Sequence, residues 1–225
     1  MCGRFTLQIT KEMIAEIFGI SILQDIQPRY NIAPTQQVAI VRTSPDGTKH
    51  LDLLKWGLIP SWSKDPSIGS RMINARSETA DTKPSFRSAF KNRRCIIPAS
   101  GFYEWQDVGG KKHPLYVKLK GNNLMLFAGL WEHWKSEEGE TIESCTILTT
   151  TTNELIRPLH DRMPVILDTH DIEPWIDPHT KDPEQLKPLF KPYPTEEMEM
   201  YPVSDMVNSP RNDTPDCIKD LGEHI

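Results

Sequence analysis

Between residues 94 and 150 the chain divides into five short apolar runs: Arg94 to Ile97, Gly101 to Gln106, Leu115 to Leu119, Leu124 to Trp131 and Glu143 to Thr150. Gly109-Gly110, Gly121-Asn122-Asn123 and Glu138-Gly139 fall between them, and these residues tolerate left-handed backbone or close a turn through their own side chains. Runs this short, bounded by such residues, read as strands rather than helices. Their spacing predicts an antiparallel meander curled into a partial barrel. The 19 prolines in 225 residues leave little room for long helices, because each proline removes a backbone donor and crowds the preceding turn.

The flanking segments extend the pattern. Thr10 can cap a helix over Lys11 to Phe18, with Met13, Ile14, Ile17 and Phe18 on one face and Gly19 as its stop. Val38 to Arg42 and Leu51 to Trp56, joined through Ser44-Pro45-Asp46-Gly47, read as a hairpin, after which Trp56 to Trp62 leaves the sheet in a loop. Thr152 or Asn153 can cap a turn before Pro158, Pro164 to Leu167 and Met198 to Val203 are further strands, and the acidic stretch after Asp168 suggests one or two helices. No internal repeat or low-complexity linker interrupts the chain. The expectation is one α+β domain over residues 1–225, a curved antiparallel β core with peripheral short helices.

A net charge of −5 argues against a protein that coats nucleic acid indiscriminately. The charge is uneven, however. Residues 71 to 94 hold seven Lys or Arg against two acids, and residues 168 to 200 hold nine acids against three Lys, so a local basic surface is available. Cys2, Cys95, Cys145 and Cys217 form no CxxC or Cys/His zinc spacing, which fits a reducing cytosol with no structural metal and no cofactor. No apolar run approaches a membrane span, and Arg4, Lys11 and Glu12 spoil a signal-peptide reading. A cytoplasmic monomer, nucleoid-associated in a bacterium, is expected.

Four positions could carry chemistry. Were Met1 removed, Cys2 would bear an α-amine and a thiol on adjacent carbons, a 1,2-aminothiol able to condense with an aldehyde to an imine and close it to a thiazolidine; a frayed terminus with an incidental Cys is the alternative. Glu104, among Phe102, Tyr103 and Trp105, is a carboxylate whose aromatic neighbours would raise its pKa, unless it simply faces outward. His160, beside Asp161 and Arg162, is a candidate proton shuttle or a structural loop residue. Asn74 can orient a terminus or a sugar through its amide, or cap a turn. Nearby Arg76 suits phosphate, and Trp62, in a Pro/Ser loop, is the tryptophan least suited to a core and best suited to stacking a base. Thr149 offers a hydroxyl near a strand end, for capping or for phosphate.

Taken in order, Met1-Cys2-Gly3-Arg4-Phe5, Arg29-Tyr30-Asn31-Ile32-Ala33-Pro34-Thr35, Trp56-Gly57-Leu58-Ile59-Pro60, Asn74-Ala75-Arg76-Ser77-Glu78-Thr79, Arg94 to Ala99 with Gly101 to Trp105, and His160-Asp161-Arg162-Met163-Pro164 resemble the SRAP family of SOS response-associated peptidases, the abasic-site processing proteins. The resemblance implies a sensor that binds single-stranded DNA containing abasic sites and crosslinks to the ring-opened aldehyde. It implies Cys2 as nucleophile after Met1 is removed, through the protein's own activity or an aminopeptidase. Asn74 would position the Cys2 amine, Glu104 would move protons, and His160 would open the sugar or stabilise its oxygen. Arg4, Arg76 and Trp62 would hold the DNA, with Arg87, Thr149 and Arg162 as further contacts. Two other functions remain open at this point: a thiol peptidase using Cys2, His160 and Asn74 on protein substrates, and a non-enzymatic single-strand binding module using Arg76 and Trp62.

Overall fold

The structure, a computed structural model, describes residues 2–20 and 26–222. In chain order its strands are β1 (Phe5–Leu7), β2 (Arg29–Ile32), β3 (Gln37–Thr43), β4 (Lys49–Trp56), β5 (Asn74–Arg76), β6 (Arg94–Ala99), β7 (Gly101–Val108), β8 (Lys111–Leu119), β9 (Met125–Lys135), β10 (Thr141–Thr151), β11 (Arg162–Pro164), β12 (Ile166–Leu167) and β13 (Met198–Pro202). The helices are α1 (Lys11–Phe18), α2 (Arg87–Asn92) and α3 (Ile172–Ile176). The expected class holds: a curved, mostly antiparallel β core with short peripheral helices.

The core is a ring of strands. β3 pairs with β4 and β6, β6 with β9, and β9 with β10, all antiparallel, and β10 returns to β4 in parallel through Ser144↔Lys55 and Cys145↔Trp56. The second, all-antiparallel sheet runs β13-β8-β7-β1-β2. The chain passes from one sheet to the other at Ser100-Gly101, where a Cβ on Gly101 would fall 2.5 Å from both the Tyr116 ring and the Val117 carbonyl oxygen. Glycine is needed here for close approach. Phe5 packs edge-on against Trp56 at 5.1 Å and against Phe127 at 6.1 Å between ring centroids, tying the start of the chain to the ring of strands.

The meander expectation holds only for its hairpins. β7–β8 and β9–β10 pair as the turn residues predict, but the other neighbour of β8 is β13 and those of β9 are β6 and β12. Every residue of β6 is buried, so the strand must be covered on both faces inside the ring and cannot simply precede β7 in one flat sheet. Turn chemistry fixes which strands are joined; long-range burial fixes which lie side by side.

Helix α1 forms where expected. Thr10 Oγ1 accepts from Met13 N and Gly19, at φ 63°, ends it. Only Ile14 and Phe18 are buried, while Met13 and Ile17 are 48% and 39% exposed. Successive helical side chains lie about 100° apart, so a shallow contact covers an i, i+4 stripe and no more. Asn153 caps the turn before Pro158 by accepting from Ile156 N at 3.1 Å. The acidic stretch yields only α3 and a series of 3-10 turns, because Pro174, Pro178, Pro183, Pro188, Pro192 and Pro194 recur too often for a longer helix. Among the described residues no helix is long and apolar enough to cross a membrane.

Candidate active site

The site is assembled around the segment leading into β1. Cys2 is fully buried. Its carbonyl oxygen accepts a hydrogen bond from Asn74 Nδ2 at 2.9 Å. Asn74 is held there by β5, a three-residue strand laid parallel on β10 with Asn74 opposite Ile147. The indole N–H of the buried Trp56 donates to the carbonyl of Ile73 at 2.9 Å and fixes the start of that strand. Asn74 is thus a strand residue, not the cap of a turn.

Glu104 approaches from the other sheet. Tyr103 N donates to Arg4 O at 2.9 Å, and the antiparallel β1–β7 register then carries Glu104 beside Gly3 and Cys2. Glu104 is 5% exposed, and this burial pushes its carboxyl up to about 7. The Cys2 thiol is also pushed up, first by burial and then by the charge of Glu104. The two groups therefore interact electrostatically, both buried. Met1 lies outside the described residues.

His160 arrives on the turn between β10 and β11. Pro158 and Leu159 of that turn line a cavity of about 220 Å³ together with Gln106 and Leu115, and Leu115 is the cross-strand partner of Glu104. His160 is partly buried, which lowers its pKa and keeps the imidazole neutral near pH 7. Its Nδ1 lies 3.0 Å from Arg162 N, from which it accepts when the neutral ring carries its proton on Nε2. Asp161 Oδ1, 2.8 Å from the same Nδ1, accepts from it whenever Nδ1 carries a proton, in the other neutral tautomer or in the imidazolium.

The six DNA-contact candidates divide into two groups. Arg76 is exposed and, two residues along a strand from Asn74, shares its face. Trp62 is 60% exposed, and its indole N–H donates to Pro84 O at 3.2 Å, which brings it beside the segment carrying exposed Arg87 at the start of α2. The others are engaged inside the fold. Thr149 is fully buried and Arg162 nearly so; Arg162 grips both carboxylate oxygens of Glu78 at 2.5 and 2.8 Å and the Thr149 carbonyl at 2.5 Å. Arg4 Nη1 donates to Asn31 Oδ1 and Val207 O, each at 2.7 Å, and its guanidinium lies over the Trp105 ring at 5.9 Å. In this structure the Thr149 hydroxyl is enclosed, and the half-buried Arg4 and the buried Arg162 make internal ties through their Nη donors.

Sequence reading assigned no role to Glu78 or Asn31 and took Trp105 only as an aromatic neighbour of Glu104. Each sits inside a motif quoted for other residues, and only their contacts reveal what they hold. Residues able to ligate a metal, Asp168, His170 and Asp171, with ligand atoms within 4.8 Å of one another, lie on the turn after β12 rather than among the Cys2 neighbours.

Three kinds of comparison agree. The chain is 47% identical over 224 residues to abasic site processing protein YoqW of Bacillus subtilis (strain 168), covering 97% of this chain and 99% of that protein. It is 32% identical to abasic site processing protein HMCES of Xenopus tropicalis, over 85% of this chain and 66% of that protein. A crystal structure of a protein from Bacteroides thetaiotaomicron superposes with a TM-score of 0.85 at 28% identity, covering 97% of this chain and 99% of that one. The family described as SOS response associated peptidase (SRAP) matches residues 1–210, and with that span and these relatives the chain belongs to the SRAP family.

Proposed function

We propose that this protein processes abasic sites in single-stranded DNA by covalent capture, shielding the lesion during the DNA damage response. The observation that carries the reading is the Asn74 amide on the Cys2 carbonyl, beside the buried Glu104 whose carboxyl is pushed up to about 7. Removal of Met1 exposes the Cys2 amine. That amine adds to the C1 aldehyde of the ring-opened sugar, and the carbinolamine loses water to give an imine. The Cys2 thiol then adds to the imine carbon, its proton passing to nitrogen, and a thiazolidine results. In sum, amine, thiol and aldehyde give the ring and one water.

Each residue has a task in that sequence. A carboxyl poised near pH 7 can accept the proton lost by the amine and return it to the departing hydroxyl. Neutral His160, with its proton on Nε2, can donate to the sugar oxygen during ring opening. Asn74 fixes the Cys2 backbone, hence the direction of attack. Arg76, Arg87 and Trp62 supply the exposed cations and the aromatic face that a single strand requires. A thiol peptidase acting on other proteins fits less well: such enzymes lower the pKa of their cysteine beside a protonated His, whereas Cys2 is raised by burial and His160 is held neutral. Peptidase activity in this reading is confined to Met1.

Intact-mass measurement after mixing the mature protein with an abasic oligonucleotide tests the reading. The expected species lacks Met1 and has gained the oligonucleotide mass less one water. An unmodified protein, or an undiminished adduct in Cys2→Ala, refutes it.

A further inference from the structure

We infer that Asn31 is a positioning residue for the Cys2 and Glu104 pair, acting through the strap of chain at residues 203–218 that follows β13. The inference rests on the proposed covalent chemistry and adds to it the means by which the reacting groups are held in register. Asn31 belongs to the Arg29-Tyr30-Asn31 motif, which the active site leaves without a task.

Asn31 is fully buried, and its whole amide is engaged. Oδ1 accepts from Arg4 Nη1 at 2.7 Å, while Nδ2 faces the carbonyls of Val207, Ser209 and Asn212 at 3.1, 3.0 and 2.6 Å. The strap is fastened beside it by Asp213, which pairs with Arg29 and accepts from Tyr30 N and Asn31 N at 2.5 and 2.9 Å. From this anchorage the strap and β2 reach the active site at three points. Val207 O takes Arg4, two residues from Cys2, at 2.7 Å. Asn208 Oδ1 takes the Trp105 indole N–H at 2.7 Å, and the Tyr30 carbonyl takes the Tyr103 hydroxyl at 2.7 Å. Tyr103 and Trp105 flank Glu104, and Tyr103 N is bonded to Arg4 O. One amide therefore joins the segment carrying the nucleophile to the two aromatics that flank the acid.

No other side chain of this size can do the same. Aspartate lacks the donors that face the three carbonyls, and alanine leaves both those carbonyls and the Arg4 guanidinium uncompensated in a buried place. Loosening the strap would let Arg4 and Trp105 shift, admitting water to Glu104 and moving Cys2. Misplacement of about 1 Å at a reacting centre costs on the order of a hundredfold in rate while leaving remote binding contacts untouched.

Crosslinking rate at saturating abasic oligonucleotide is to be measured alongside affinity for an oligonucleotide carrying a tetrahydrofuran abasic analogue, which has no aldehyde. Asn31→Ala is expected to slow crosslinking by about tenfold or more with affinity unchanged, and to move the acidic limb of the pH–rate profile toward the ordinary carboxylate range. Asn208→Ala, at an exposed strap position, keeps the test decisive if Asn31→Ala fails to fold, and should show a smaller effect of the same kind. A folded variant with wild-type rate and profile overturns the role of Asn31, as does a loss of affinity that accounts for the whole loss of rate. If the wild-type chain itself forms no crosslink, the covalent reading fails, and the positioning role with it.

Discussion

Arg162 and Glu78 are locked together by two hydrogen bonds of 2.5 and 2.8 Å, and this pair joins the start of β11 to the turn that follows β5. Arg162 follows His160 by two residues, and Glu78 follows Asn74 by four. The pair holds the turn carrying His160 against the strand carrying Asn74, much as β5 and β11 are both docked on β10.

Cutting this pair should cost stability as well as rate. The Arg162 side chain is 8% exposed and that of Glu78 is 47% exposed, so solvent screens one partner only. Glu78→Ala is expected to destabilise the protein by about 1–2 kcal/mol, less than for a fully buried pair, read from urea unfolding. The hydrogen bond from Arg162 holds the Glu78 carboxyl below its usual range. A depressed carboxyl contributes stability above its unfolded pKa of about 4.3, and that contribution disappears as pH falls through the folded value. The gap between wild type and variant should therefore shrink in acid; a gap that is constant between pH 3 and 7 contradicts the assignment.

Glu104 predicts the opposite pH dependence. Its folded pKa, about 7, lies above the unfolded value, so the fold favours the protonated form. That preference is fully expressed below about pH 4 and is lost as pH rises through 7. Glu104→Gln should accordingly match wild type in acid and exceed it by up to about 3 kcal/mol above pH 8. The same variant should slow crosslinking by about a hundredfold or more and erase the inflection near neutrality. Denaturant unfolding at two pH values and a pH–rate profile check both parts.

Asn74→Ala removes the donor to the Cys2 carbonyl without touching the exposed cations. Crosslinking should fall by about ten- to a hundredfold, while affinity for an uncleavable abasic analogue stays at the wild-type value. An equal fall in affinity would make Asn74 a DNA contact instead.

Arg76 and Trp62 should behave in the reverse manner. Arg76→Ala is expected to weaken binding to every single-stranded sequence and to reduce the slope of log affinity against log salt by about 0.7. Trp62→Ala should cost about 1–3 kcal/mol of binding with no effect on salt dependence. Fluorescence anisotropy over a salt series separates the two. Thr149→Val, by contrast, should leave affinity unchanged, because its hydroxyl is fully buried.

The local order of this protein is largely legible from its residues. The Thr10 cap, the Gly19 stop and the Gly109-Gly110 and Glu138-Gly139 turns act over a few residues, where backbone preference and side-chain chemistry decide the outcome. The residues proposed to react were also visible, since an acid among aromatics or a Cys behind a removable Met is chemically conspicuous. Their surroundings were not. The closing of β10 onto β4, the docking of β13 on β8, and the inward commitment of Arg4, Thr149 and Arg162 all join residues far apart in the chain, and an arginine on paper looks the same whether it meets phosphate or a buried carbonyl. Sequence by itself determined which turns, strands and reactive groups exist, because those follow from local sterics and chemistry. Only the tertiary structure decided which of them meet and which are desolvated, because burial and pairing belong to the packed chain as a whole.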